Sequence, residues 1–201
     1  DGRTTMIVRK GERFLGVIGV MDTPRPVAAE VMAKLRALGI ERLIMISGDN
    51  QQVAEAVAKS VGLTEARGDL MPEQKVEAIK SLREAHGKVA MVGDGVNDAP
   101  ALASADLGIA MGSGTDVAMQ AAGVTLMRAD PRLVADTIDI SRRTYAKIRQ
   151  NLFWAFFYNV VGIPLAALGF LNPVIAGAAM AMSSVSVVSN TLLLRRWKPR
   201  H

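Results

Sequence analysis

The 201 residues contain no cysteine, which excludes a disulfide framework and any thiolate ligand within the chain. Histidine is nearly as scarce: His86 stands before Gly87 at a predicted helix end, where it would face the C-terminal dipole, and His201 is the last residue. Two long runs, Leu152 to Leu171 and Val174 to Leu194, carry no charged side chain. Acids are missing around them as well. Segments 141–150 and 195–201 hold Arg142, Arg143, Lys147, Arg149, Arg195, Arg196, Lys198 and Arg200 without an Asp or Glu. No cleavable leader precedes the polar part and no Met opens it, as expected of a piece of a longer protein.

Each uncharged run is about 20 residues, the length that crosses a bilayer's hydrocarbon core, and two transmembrane helices are predicted. Asn172-Pro173 between them is short enough to impose a hairpin, with both outer ends on one side of the membrane. The flanking cations make that side cytoplasmic, and Trp154 and Trp197 fall near the boundary, where aromatic belts form. Setting the eight flanking cations aside leaves 16 Lys+Arg against 19 Asp+Glu, so residues 1–140 carry about −3. The overall +5 is therefore a membrane-flank signature and no footprint for nucleic acid.

The polar part alternates in character. Thr5 to Val8 and Phe14 to Met21 predict a β-hairpin around Lys10-Gly11-Glu12. Helices are predicted from Arg25-Pro26 to Gly39, over Gln51 to Val61, from Pro72 through Leu82, and over Thr115 to Ala122. Strands are predicted at Arg42 to Ile46, around Ala66, at Val89 to Val92, Leu107 to Met111 and Val124 to Met127, and a helix from Pro131 to Gln150 leads to the first uncharged run. Such βα repetition implies a mostly parallel sheet covered by helices, with ligands gathering beyond the carboxyl ends of its strands.

The organising stretch is Gly93-Asp94-Gly95-Val96-Asn97-Asp98-Ala99-Pro100. A buried strand would deliver Asp94 to its tip, with glycines on either side to let the backbone turn. Carboxylate and amide oxygens suit Mg2+, which keeps several waters and bridges to phosphate; Asp94 is the expected direct ligand, with Asn97 and Asp98 beside it. On the residues alone, Asn97 and Asp98 could equally cap the following helix. Ser47-Gly48-Asp49 supplies a hydroxyl and amides at another strand end, and Lys75 an ammonium from the first turn of its helix. Together they would surround a phosphoryl group, although Lys75 alone would read as a solvated surface lysine. No nucleophile stands out: Asp22-Thr23 follows a strand, but Pro24 and Pro26 stiffen the next turn, and Asp22 reads as structural.

In the uncharged runs, Tyr158-Asn159 and Met180 to Ser184 are the clusters of potential ligands. Met180 and Ser184 share a helix face, and the clusters lie at comparable depths. Pro164 leaves the Val160 carbonyl without its helical donor, and broken helices near the midplane are where transport sites lie. A thioether favours Cu(I). The alternative is that the small residues Gly177 to Ser184 serve close helix packing, with Met180 and Met182 filling gaps.

These motifs resemble the heavy-metal P-type ATPases, Cu(I)-exporting branch, over essentially the whole chain. Gly93 through Leu102 resembles the family's magnesium-binding hinge, Asp69, Pro72 and Lys75 its Asp-x-x-Pro-x-x-Lys element, and Ser47-Gly48-Asp49 its Thr-Gly-Asp element. Asp22 through Pro26 is similar to the Asp-x-x-Arg stretch at the return into the phosphorylation domain. The resemblance implies a haloacid-dehalogenase-like α/β fold, a parallel sheet forming part of a phosphorylation domain, followed by a two-helix transmembrane hairpin. Residues 1–20 would end the nucleotide-binding domain, 21–140 would be the C-terminal part of the phosphorylation domain, and 141–201 the membrane-entry helix and last two spans. It implies Ser47, Gly48, Asp49 and Lys75 at the catalytic centre, a cofactor-binding stretch of Asp94, Asn97 and Asp98 with Mg2+ on Asp94 and secondarily on Asp98, and transported Cu(I), or Ag(I), at Tyr158, Asn159, Met180 and Ser184. It further implies ATP held mainly by a missing domain, lipid contact, a possible copper-delivering chaperone, and a multi-pass protein of the plasma (inner) membrane. The family's Asp-Lys-Thr-Gly-Thr and Cys-Pro-Cys are absent, so the chain alone is expected to be inactive. Another heavy metal, a membrane-anchored phosphatase of the same superfamily, or an inactive truncated module remain the alternatives.

Overall fold

The structure, a computed structural model, describes residues 4–20, 23–112, 114–170 and 172–199; the expectation for Asp22 lies outside these. The chain divides into two units, Asp1–Ala135 and Asp136–His201.

The first unit opens with an antiparallel hairpin, β1 (Thr4–Lys10) and β2 (Arg13–Val20), whose register shifts between Val8 and Arg9. Helix α1 (Ala28–Ala37) buries Val31 and Leu35 of the four apolar residues, Val27, Val31, Leu35 and Leu38, that the sequence spacing sets on one face; Val27 and Leu38, just outside its ends, are half-buried. Strand β3 (Ile44–Ile46) leads to α2 (Gln51–Val61), and β4 (Glu65–Arg67) pairs with β3 in parallel. Helix α3 (Pro72–His86) starts on the expected proline, whose missing N–H costs nothing in a first turn. Then come β5 (Ala90–Gly93), a 3-10 turn over Val96–Asp98, α4 (Ala99–Ser104), β6 (Leu107–Met111), α5 (Asp116–Ala121) and β7 (Val124–Leu126).

Among the described residues the expected parallel sheet is in two parts, β3-β4 and β5-β6-β7, both parallel. Strand β6 is flanked on both sides, and Ile109 and Ala110 are fully buried. Strand β5 departs from expectation: Val92, on the face opposite the buried Met91, is 41% exposed, and among the described residues β5 pairs along one edge, with β6. Its inward residue Met91 joins Ile79 of α3, Ala101 and Leu102 of α4 and Ala118 of α5 in one apolar cluster, which seats the β5–α4 turn.

In the second unit, α6 (Arg132–Ala167) merges the predicted entry helix and first uncharged run into one helix beginning just before the unit boundary. At 36 residues it is about 54 Å long. Pro164 does not interrupt it: one missing hydrogen bond is tolerated near the end of a long helix. Helix α7 (Pro173–Leu192) continues as a 3-10 turn to Arg196. Among the described residues one segment, Ala176–Arg196, is long and apolar enough to cross a membrane, where two spans were expected; α6 ends at Ala167, short of the expected Leu171.

Candidate active site

Three strand-to-helix loops of the first unit carry the predicted groups. A cavity of about 340 Å³ lies among them, lined by Gly48, Asp69, Met71, Pro72, Lys75 and Asn97 with Leu70. The structure thus brings Gly48, Lys75 and Asn97 to one space. Asp94 and Asp98 belong to the same turn as Asn97.

Lys75 is no solvated surface lysine. Its Nζ lies 2.7 Å from Asp98 Oδ1, with the two side chains 13% and 17% exposed. Asp98 Oδ2 in turn accepts from the Gly95 N–H at 3.4 Å. Each Asp98 oxygen therefore has one protein partner, which sets the carboxylate's orientation and leaves lone pairs on both oxygens. Gly93 is needed for this pairing, since a Cβ there would stand 2.9 Å from the Cβ of Asp98. Gly95 is extended, φ −95° and ψ 159°, a conformation open to any residue, so the turn requires less glycine than the sequence suggests.

Asp94 is exposed, and among the described residues its carboxylate has no hydrogen bond or ion pair. Its carbonyl accepts from the Thr115 N–H at 3.0 Å, which fixes the backbone while leaving the carboxylate free for a hard cation. Asn97 is exposed beside it. The donor set, a free carboxylate and an amide oxygen, fits Mg2+.

The Ser47 hydroxyl donates to Asp49 Oδ2 at 2.7 Å and accepts from the Asp49 N–H at 3.1 Å, closing a local turn. To donate to a phosphoryl oxygen, that hydroxyl must leave Asp49. Asn50 caps α2 by accepting from the Gln52 N–H at 2.9 Å.

The ligand clusters of the second unit are less assembled. Asn159 Nδ2 donates to the Ala155 carbonyl at 2.8 Å and the Ser184 hydroxyl to the Met180 carbonyl at 3.2 Å, each within its own helix. Met180 is 74% exposed, Asn159 and Ser184 are exposed, and Tyr158 is half-buried. Among the described residues no hydrogen bond joins Tyr158 or Asn159 to Met180 or Ser184.

Sequence reasoning missed a polar network between α6 and α7. Lys147 Nζ donates to Asn190 Oδ1 at 2.7 Å, Asn190 Nδ2 to Asn151 Oδ1 at 2.8 Å, and Asn151 Nδ2 to Thr191 Oγ1 at 2.8 Å. Trp197 Nε1 donates to Asp139 Oδ2 at 2.8 Å. By sequence Lys147 is one of the flanking cations, and Asn190 carries no signal of its own within the run Val174 to Leu194.

Residues 1–106 match the haloacid dehalogenase-like hydrolases, a match that takes in more than half of the chain and all three loops of the first unit's site; the chain belongs to this family. It is 50% identical over 198 residues to the copper-exporting P-type ATPase of Staphylococcus aureus (strain bovine RF122 / ET3-1), covering 98% of this chain and 25% of that protein. The copper-exporting P-type ATPase of Bacillus subtilis (strain 168) gives the same identity and coverage. Among solved structures, a zinc-transporting PIB-type ATPase in the E2.Pi state matches with a TM-score of 0.87 at 39% identity, over 97% of this chain and 32% of that one. The chain spans about a quarter of the length of the curated relatives it matches.

Proposed function

We propose that the chain is the C-terminal part of a P-type ATPase that exports Cu(I), and Ag(I) by the same soft-ligand argument, from the cytoplasm, driven by ATP hydrolysis through an aspartyl phosphate. The observation that carries this reading is the 50% identity over 198 residues to copper-exporting P-type ATPases. The site agrees with it chemically. Lys75, steered by Asp98, would neutralise a phosphoryl oxygen, and the Ser47-Gly48-Asp49 turn would offer its hydroxyl and amides. Asp94 and Asn97 would hold Mg2+, which when bound supplies charge neutralisation at the phosphoryl group. The nucleophilic aspartate and most of the ATP contacts would come from parts of the protein outside these residues.

Two surfaces support such parts. The hairpin β1–β2 exposes apolar side chains on both faces, the partners Ile7 and Val17 at 64% each on one and the partners Met6 at 52% and Ile18 at 53% on the other. Two strands alone are marginal in water, and the hairpin fits as the end of a nucleotide-binding domain over residues 1–20. The free edge of β5 would likewise accept a further strand. Residues 141–201 would form the membrane-entry helix and last two spans of a multi-pass inner-membrane protein, its soluble part cytoplasmic, with a copper-delivering chaperone as a partner.

Zn(II) is the second reading, favoured by the likeness to the zinc-transporting structure. Against it, neither uncharged run contains a carboxylate or imidazole. ATP hydrolysis by the full-length protein in detergent, with Cu(I), Ag(I), Zn(II) or no metal and alongside Met180→Ala, separates them. Stimulation by Cu(I) and Ag(I) alone, lost in the variant, is expected. Stimulation by Zn(II) would transfer the membrane half to the second reading, and metal-independent turnover would indicate a phosphatase.

A further inference from the structure

The loop after β4 is laced to the loop after β3. The Ser47 N–H donates to the Arg67 carbonyl at 2.9 Å, the Leu70 N–H to the Ser47 carbonyl at 3.1 Å, and the Asp69 N–H to the Asp49 carbonyl at 2.6 Å. Side chains complete the lacing: the Gln51 N–H donates to Asp69 Oδ2 at 3.0 Å, the Gly68 N–H to Gln51 Oε1 at 2.5 Å, and Gln51 Nε2 to the Ala66 carbonyl at 3.0 Å. Asp69 has a φ of 54°, in the left-handed region that few residues other than glycine, asparagine and aspartate enter readily. At Gly68 a Cβ would stand 2.6 Å from Gln51 Cα and 2.8 Å from the Asp49 carbonyl oxygen, so any side chain there would force the loops apart.

We infer that Asp69, with Gln51 and Gly68, is a positioning residue of the phosphoryl site: it locks the Ser47–Asp49 turn to the start of α3 and thereby fixes that turn relative to Lys75. This rests on the proposed reading of the site as a phosphoryl-transfer centre. Asp69 lines the cavity, yet one carboxylate oxygen is committed to the N-terminus of α2, so its contribution is the loop's position and not its charge. Lys75 follows within the next turn of chain, and Gly48, on the opposite loop, has its α-carbon region against the Leu70 carbonyl, 3.4 Å from where a Cβ would be. Loss of the latch therefore moves both halves of the phosphoryl cradle.

The test compares Asp69→Ala, Asp69→Asn and Gly68→Ala in the full-length enzyme, with thermal unfolding as the check on folding. The rate of acid-stable phosphoenzyme formation from ATP, the KM for ATP and amide exchange across 47–52 are measured. Displacement of the cradle by a fraction of an ångström to an ångström predicts a rate loss on the order of 10- to 100-fold in Asp69→Ala and Gly68→Ala, with KM unchanged. Asparagine keeps an oxygen for the Gln51 N–H and accepts the left-handed backbone, so Asp69→Asn should stay within about threefold of wild type. Normal phosphorylation in a folded Asp69→Ala overturns the inference, as does an Asp69→Asn variant as impaired as Asp69→Ala, which would make the charge the essential feature. Should Asp69→Ala not fold, Gly68→Ala and Asp69→Asn decide by the same criteria. A wild-type enzyme that forms no phosphoenzyme would defeat the functional reading instead; faster exchange at Gln51 in Asp69→Ala or Gly68→Ala would still support the latch, and unchanged exchange would overturn it.

Discussion

Lys75 and Asp98 form an ion pair that is short, largely shielded and shared between two elements, 23 residues apart in sequence. An exposed pair would contribute little, but charge-assisted hydrogen bonds with limited water access are stronger. A double-mutant cycle of Lys75→Ala and Asp98→Ala, read by denaturant unfolding, should give a coupling of about 1.5–3 kcal/mol. A coupling below about 0.5 kcal/mol would return Lys75 to the solvated surface. In activity, Lys75→Ala should lower phosphoryl transfer by about 100- to 1,000-fold, measured as phosphoenzyme formation in the full-length protein. Near-normal transfer would remove Lys75 from the site. The local motifs were readable because each is short in sequence: Asp94 and Asn97 sit on one turn, Ser47 and Asp49 on another. That Asp98 serves Lys75, and that Asp69 holds Gln51, depends on loops separated by many residues, and no spacing rule connects them.

Helices α6 and α7 are joined by Lys147, Asn151, Asn190 and Thr191 through side-chain hydrogen bonds. In an apolar setting such contacts help hold helix pairs, where burial of hydrocarbon no longer distinguishes protein from lipid. Asn190→Leu removes the acceptor for Lys147 and the donor to Asn151 while keeping an apolar side chain of similar length. It should lower the stability of the pair by about 1–2 kcal/mol, seen as an earlier thermal unfolding midpoint in detergent; no shift would mean that α6 and α7 associate by packing alone. Helix and strand positions were largely legible. Glycine and proline punctuation placed α2 and α3, and apolar periodicity placed the buried face of α1. The condition of β5 was not: an apolar run reads the same whether one face of its strand is covered or both, and here Met91 is buried while Val92, on the other face, is exposed.

On the proposed reading, an apolar hairpin exposed on both faces, an edge of β5 left unpaired among the described residues and a cavity that would hold a phosphoryl group fit one component of a larger catalyst. The 201-residue polypeptide by itself should therefore form no acid-stable phosphoenzyme when given ATP and Mg2+, while the full-length protein should. Phosphorylation of the isolated polypeptide would require a nucleophile among its own residues and would overturn this view of its role.

Composition and spacing determined the class of the chain: hydrophobic runs of bilayer length with cationic flanks, βα alternation, and carboxylates, hydroxyl and ammonium at loop positions. These are properties of contiguous residues, fixed by backbone periodicity and side-chain chemistry. Tertiary structure alone decided the pairing of Lys75 with Asp98, the lacing of Asp69 to Gln51, the open edge of β5 and the bridging of α6 to α7 by Asn190. Each depends on which distant backbones come within hydrogen-bonding reach, a distance of about 3 Å that only the packed fold sets.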